Sequence, residues 1–262
     1  MTKTLIFDCD GVLADTEKDG HLVAFNRMWR EQGVNWQWSF AQYADKVKIG
    51  GGKERMASLG RDADFRAVYD VPSTDETWWD IVAAWHKRKS EIYKEMIAAG
   101  ALPARPGVKR LAEAAWDAGW QLAVCSTSSL SSVQAVLDHV MGETTAAKFA
   151  GVFAGDMVKA KKPDPAIYLL ALNKLDLTPA DCLVVEDSRN GLLAATAAGM
   201  TCIVTVNQLT ENEDFREAAV VVSSLGDPGG EKTEVIANRT RARLRDYVSV
   251  QDLEEILANS TV

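Results

Sequence analysis

Asp8-Cys9-Asp10-Gly11 places two carboxylates two residues apart, directly after the apolar run Leu5-Ile6-Phe7. Alternate residues of an extended chain share a side, so Asp8 and Asp10 can both face one reacting group. One carboxylate can attack phosphorus while the other, carrying a proton, serves as general acid and then base. Alone, the pair would be no more than a turn rich in Asp and Gly, but three further clusters follow. Ser126-Thr127-Ser128 offers hydroxyls and backbone N–H groups suited to a phosphate, although such a run also serves as a helix cap. Lys161-Lys162-Pro163-Asp164-Pro165 contains two prolines that fix a turn able to aim a lysine inward. Glu186-Asp187-Ser188 supplies a second carboxylate pair, or else the cap of the next helix. Asp8 and Asp187 are hard oxygen ligands of the kind Mg²⁺ takes while it bridges a phosphate oxygen. Separate structural explanations would have to hold at all four clusters at once, whereas phosphoryl transfer uses all four together.

The clusters need a frame that brings them to one place. Each follows a short apolar run: Leu5-Ile6-Phe7, Leu122-Ala123-Val124-Cys125, Val152-Phe153-Ala154 and Leu183-Val184-Val185, with Cys202-Ile203-Val204-Thr205 as a fifth. Continuous apolar strands are what a parallel sheet covered on both faces requires. Between them lie helical stripes: Val108, Leu111, Ala115 and Trp116 ending at Gly119; Leu130, Val133, Leu137 and Val140; Leu192, Ala195 and Ala198 up to Gly199. The alternation predicts a doubly wound, Rossmann-like α/β sheet, whose reacting groups sit at the carboxyl ends of the strands.

Residues 16–102 break that alternation and read as helical, with Thr16 and Asp19 as a capping box and a long helix after Ser73-Thr74-Asp75-Glu76. The expected organisation is an α/β core of residues 1–15 and 103–262 with an inserted second, helical domain of residues 16–102. Beyond Asp227-Pro228-Gly229-Gly230, the alternating Arg239, Arg241, Arg243 and Arg245 suggest an exposed edge strand or solvated segment. Ser249 caps an expected terminal helix.

A chain of 262 residues with 47% apolar and 25% charged residues is an ordinary globular protein that can bury a substantial core. The net charge of −8 argues against a nucleic-acid or anionic-membrane partner, and no apolar run approaches the ~20 residues of a membrane span. The expected partner is a small phosphorylated molecule, and the expected state a monomer. The four cysteines lack metal-ligand spacing and read as reduced, buried thiols. The expected location is the bacterial cytoplasm, or the chloroplast stroma for a mature form.

The ordered set Asp8-Cys9-Asp10-Gly11, Ser126, Lys162-Pro163 and Glu186-Asp187 resembles the four motifs of the haloacid dehalogenase-like phosphatases, and the insertion falls where that superfamily carries its helical cap. The resemblance implies that Asp8 forms a phosphoaspartate, that Asp10 protonates the leaving oxygen and later activates water, and that Ser126 and Lys162 hold phosphoryl oxygens. It further implies Mg²⁺ on Asp8, the Asp10 main-chain carbonyl and Asp187, with Glu186 in support. Asp15-Thr16-Glu17-Lys18-Asp19-Gly20-His21, Gly50-Gly51-Gly52-Lys53-Glu54-Arg55-Met56 and Phe153-Ala154-Gly155-Asp156 are similar to the CbbY branch. That branch hydrolyses xylulose-1,5-bisphosphate, an inhibitory misfire product of Rubisco. A bisphosphate needs a second anion site, for which Lys53, Arg55 and Lys89 are candidates. Glu17 and His21 are candidates for sugar hydroxyls, Gly51 and Gly52 for close backbone approach, and Thr127 and Ser128 for the phosphate. The alternatives are a β-phosphoglucomutase-like phosphosugar mutase, a broad sugar-phosphate phosphatase, and a silent binding module, which would have lost at least one essential group.

Overall fold

The computed structural model describes residues 2–259. Seven strands form one sheet: β1 (Thr4–Phe7), β2 (Gln121–Cys125), β3 (Phe149–Phe153), β4 (Cys182–Glu186), β5 (Thr201–Thr205), β6 (Val220–Val222) and β7 (Val235–Asn238). Their spatial order is β3-β2-β1-β4-β5-β6-β7, parallel from β3 to β6, with β7 antiparallel at the edge. Every residue of β1, β4 and β5 is buried, as the two-sided covering of a parallel sheet demands. On one face Ile6, Val184 and Val204 pack with Tyr168, Leu192 and Ala195. Each of the Ile, Val and Leu side chains among them contributes about 1.5–3 kcal/mol when fully buried. The chain lays β2 and β3 to one side of β1, and β4, β5 and β6 to the other. The topological switch point therefore lies between β1 and β4.

The details depart from the sequence pattern where burial is decided by position within an element. β3 ends at Phe153, so Ala154 lies beyond it. Trp116 is 40% exposed, because the buried arc of its helix (Val108–Asp117) is Val108, Leu111, Ala112 and Ala115. Leu130, first residue of the helix Leu130–Met141, is likewise exposed, and Val136 and Met141 complete that apolar face. Arg239, Arg241, Arg243 and Arg245 follow β7 as an exposed, irregular segment.

Residues Thr16–Leu102 form a second compact unit, separate from Met1–Asp15 with Pro103–Val262. It opens with a π-helical turn, Glu17–Leu22, in which the His21 N–H donates to the Thr16 carbonyl at 2.6 Å. Thr16 itself is in the right-handed helical region and its side chain caps nothing. The expected Thr16–Asp19 capping box is therefore absent, since a capping residue needs extended backbone. The long helix Asp75–Ala98 does start on a side-chain cap, the Thr74 hydroxyl accepting from the Thr77 N–H. Trp29, Trp38, Trp78 and Trp85 are interior packing, whereas Trp79 is exposed. Trp29 and Trp38 meet edge to face at 4.6 Å and are fully buried, and the buried Trp78 and Trp85 meet edge to face at 5.7 Å.

Candidate active site

The first carboxylate of the site stands where β1 stops. The Asp8 N–H continues the ladder by donating to the Val185 carbonyl at 2.9 Å, which sends its side chain out past the strand end. Its neighbour β4 ends in Glu186, followed by Asp187, so the switch point brings these groups together. Carboxylate oxygens of Asp8, Glu186 and Asp187 all lie within 4.8 Å of one another, and all three residues are buried. The turn after β3 delivers Lys162 among them. Its ammonium donates to Asp8 Oδ1 at 2.7 Å, Glu186 Oε1 at 2.6 Å and the Cys125 carbonyl at 2.8 Å. The neighbouring Lys161 is exposed and donates instead to the Gly155 carbonyl.

The loop after β2 supplies the hydroxyls. Ser126 is buried, and its Oγ accepts from the Ser128 N–H at 3.1 Å. Ser128 Oγ in turn donates to Asp10 Oδ2 at 2.5 Å, fixing the carboxylate proposed to move the proton. Thr127 between them is exposed. Gly11 turns the chain at φ +82°, and a Cβ there would overlap the Asp187 carboxylate. Only glycine lets the backbone pass so close.

Burial pushes the Asp8 carboxyl up to about 7 against the pull of Lys162, and the Glu186 and Asp10 charges add to the rise. Burial, then Asp8 and Glu186, hold Asp187 well above the usual carboxylate range. For Lys162, burial acts to lower the pKa, but the Asp8 and Glu186 carboxylates prevail and hold it above the ordinary lysine value. Three converging carboxylates around one ammonium are electrostatically short of positive charge. Their all-oxygen donor set fits a hard divalent cation such as Mg²⁺. Both Glu186 oxygens accept hydrogen bonds, Oε1 from Lys162 and the Tyr168 hydroxyl and Oε2 from the Asp187 N–H, whereas Lys162 engages only Oδ1 of Asp8 and Asn207 only Oδ2 of Asp187, which makes Asp8 and Asp187 the principal ligand candidates.

Three residues of this centre were not anticipated. Asn207 donates from Nδ2 to Asp187 Oδ2 at 2.8 Å, Tyr168 holds Glu186, and Arg105 binds the carbonyl of Gly11. Asn207 lies just past β5, so the rule that picked out Asp8 and Asp187 would have found it as well.

The helical unit carries its own polar groups. Glu17 accepts from Arg55 at 3.2 Å and from the Tyr43 hydroxyl, and Arg55 also donates to Tyr43 at 2.9 Å and to the Ile49 carbonyl at 2.9 Å. Arg55 is thus already engaged within its unit. The Lys89 ammonium is buried, 2.9 Å from His21 Nδ1 and 4.6 Å from the centre of the Phe25 ring. Lys53 is exposed. Gly51 has φ +95°, where a Cβ would overlap the Glu54 carboxylate, and a Cβ on Gly52 would lie 2.9 Å from His86 Nε2. His86, a further residue not anticipated, is pushed down to about 4 by burial and by the charges of Lys89, Lys53 and His21. On an acidic protein this is a local concentration of positive charge.

Comparison with known proteins agrees with the geometry. The family model of the haloacid dehalogenase-like hydrolases matches residues 2–199. A CBBY-like protein of Arabidopsis thaliana is 44% identical over 90% of this chain and 73% of its own length. The plasmid-borne CbbY of Cupriavidus necator is 39% identical over 86% of this chain and 87% of its own. Among solved structures, CbbY from Rhodobacter sphaeroides in complex with phosphate superposes with a TM-score of 0.75 at 38% identity, covering 86% of this chain and 95% of that one. A variant of the same protein in complex with xylulose-(1,5)bisphosphate gives 0.76 at 37% identity, covering 88% and 97%. With the strand order, the switch-point carboxylates and these relatives in agreement, the chain belongs to the haloacid dehalogenase-like hydrolase family, within it to the CbbY proteins, and is a phosphatase.

Proposed function

We propose that this phosphatase removes one phosphate from xylulose-1,5-bisphosphate, giving xylulose 5-phosphate, by way of an aspartyl phosphate on Asp8. The observation that carries the chemistry is the buried Asp8 carboxylate, gripped by Lys162 and lying within 4.8 Å of the Glu186 and Asp187 carboxylates. The substrate is supported by the 37% identical CbbY structure that holds this bisphosphate.

In the first half-reaction Asp8 attacks phosphorus, its carboxylate oxygen bonding to P as the P–O bond to the sugar breaks. Asp10, oriented by Ser128, gives its proton to the departing sugar oxygen. In the second half, Asp10 takes a proton from water, the water oxygen bonds to phosphorus, and the bond to Asp8 breaks. Ser126 and Lys162 hold phosphoryl oxygens through both halves. Asp8, the Asp10 main-chain carbonyl and Asp187 would hold Mg²⁺, with Glu186 in support, and the cation would offset negative charge on the phosphoryl group.

The helical unit is assigned the choice of substrate as a cap that closes over it: Lys53, Lys89 and Arg55 for the distal phosphate, Glu17 and His21 for sugar hydroxyls, and Gly51 and Gly52 for close backbone approach. Thr127 and Ser128 complete the phosphate contacts. The role is metabolite repair for Rubisco by a monomer, in bacterial cytoplasm or chloroplast stroma, in keeping with relatives from bacteria and a plant.

The test is phosphate release from a panel of sugar mono- and bisphosphates. The proposal expects xylulose-1,5-bisphosphate to give the highest kcat/KM, with inorganic phosphate and xylulose 5-phosphate in equal amounts. Conversion of β-glucose 1-phosphate to glucose 6-phosphate without phosphate release would instead make the chain a mutase, like the β-phosphoglucomutase assignment of a 26% identical Thermotoga maritima structure.

A further inference from the structure

Arg105 follows directly on the chain segment that returns to the α/β unit, whose sequence resumes at Pro103. That segment runs beside the one that leaves: Ala104 bridges to Ala14, and the Arg105 N–H donates to the Leu13 carbonyl at 3.0 Å. The side chain then reaches across the carboxyl ends of three strands. Nη1 donates to the Gly11 carbonyl, to the Thr205 carbonyl at 3.0 Å and to Thr205 Oγ1 at 3.2 Å. Nη2 donates to the Val206 carbonyl at 2.7 Å and the Ser223 carbonyl at 2.9 Å. Among the described residues its acceptors are main-chain carbonyls and one hydroxyl, with no carboxylate. Burial accordingly lowers the Arg105 pKa, against the distant pull of Asp187, Asp15 and Glu231.

A mostly buried guanidinium without a counter-ion is a costly way to join loops. Its advantage is geometric, because the planar fork donates several hydrogen bonds in fixed directions, which a lysine cannot do. What it joins matters for the chemistry. Gly11 follows Asp10 and lies against the Asp187 carboxylate, whereas Thr205 and Val206 lead straight into Asn207, the residue that holds Asp187 Oδ2.

We propose that Arg105 is a positioning residue for phosphoryl transfer: its guanidinium fixes the Asp10–Gly11 turn relative to the Asp187–Asn207 pair, and so sets turnover rather than substrate capture. The proposal rests on the roles given above to Asp8 and Asp10. A misplacement of about 1 Å at a reacting group costs on the order of a hundredfold in rate.

The test uses the full chain with p-nitrophenyl phosphate and with the best sugar phosphate. Arg105→Lys is expected to fold, to lose kcat by at least about tenfold and to keep KM within about threefold. Arg105→Ala should recover part of its kcat, saturably, on addition of guanidinium ion at non-denaturing concentration, with no matching rise in melting temperature. A kcat for Arg105→Lys within about twofold of the parent, or a loss confined to KM, overturns the proposal. Guanidinium that restores thermal stability but not turnover also overturns it, since that is the signature of a merely structural role. If Arg105→Ala does not fold, the kcat-against-KM split of Arg105→Lys decides alone. If the parent hydrolyses no phosphate ester, the phosphatase reading fails by itself. Hydrogen exchange then decides Arg105: faster exchange around Gly11 and Asn207 at retained global stability upholds the positioning role, and unchanged exchange removes it.

Discussion

The α/β unit and the helical unit carry similar polar residues under different rules. In the α/β unit, backbone topology decides where a side chain goes. Asp8, Ser126, Glu186, Asp187 and Asn207 each end or closely follow a strand, so one sheet gathers them whatever the intervening helices do. In the helical unit, three cations of one cluster of candidates meet three different fates. Arg55 is bound to Glu17 and Tyr43, Lys89 is buried against His21 and aromatic rings, and Lys53 is exposed. A strand end is a better guide to function than a charge on a helix, because the helix face and its neighbours decide the latter.

The sharpest way to break this contrast is at Asp8. Asp8→Asn keeps the shape of the side chain and removes the nucleophile. Phosphate release should fall by at least about a thousandfold with the circular dichroism spectrum unchanged. Appreciable residual turnover would reject the strand-end assignment.

Lys162→Met leaves Asp8 and Glu186 as buried carboxylates without their ammonium. Urea denaturation should register a loss of about 3–5 kcal/mol, the range for a broken buried ion pair. A loss comparable to that of an exposed lysine would mean that the site is better solvated than its geometry indicates.

Cation binding should depend on pH through the same carboxylates. In the metal-free protein the Asp8 pKa rises on folding from 3.8 to about 7. The folded state therefore binds the extra proton, and this contribution to stability is present below 3.8 and lost as pH rises through about 7. Mg²⁺ requires the ionised carboxylates, so it should raise the melting temperature more at pH 8 than at pH 5, and chelation should reverse the gain. Equal shifts at both pH values would place the cation elsewhere. His86 works in the opposite sense: its pKa falls from 6.5 to about 4 on folding, so its contribution is present above 6.5 and lost as pH falls toward 4.

The smallest effects belong to the helical unit and separate its cations. Arg55→Ala removes the guanidinium beside the mostly buried Glu17 carboxylate, leaves it the Tyr43 hydroxyl, and should cost about 2 kcal/mol of stability. Lys53→Ala, on an exposed side chain, should change stability by less than about 0.5 kcal/mol. It should nonetheless raise KM for a bisphosphate more than for a monophosphate. Equal KM effects on both would remove Lys53 from the distal phosphate.

How much was legible in the sequence follows the same division. Apolar runs ending in Asp8, Ser126 and Glu186-Asp187 announced both the sheet and its reacting edge, because burial on two faces leaves a continuous signal. β6 is only three residues long and β7 is largely exposed, so neither carries that signal. Tyr168 stands on the helix Ala166–Leu175, and nothing local reveals that its hydroxyl meets Glu186. Arg105 was hidden for the same reason, since its acceptors lie as far as 118 positions along the chain. The Thr16–Asp19 capping box failed because a π-helical turn takes its place.

The central claim is that Asp8 becomes phosphorylated. In an Asp10→Ala variant, which keeps the nucleophile but loses both the acid of the first half-reaction and the group that activates water, p-nitrophenyl phosphate, whose leaving group departs without a proton, should leave a stalled intermediate. Peptide mass spectrometry after an acid quench should find one phosphoryl group on the peptide containing Asp8, released by hydroxylamine and absent from Asp8→Asn. An unmodified Asp8 peptide from a variant that still cleaves its first phosphate ester would contradict the mechanism.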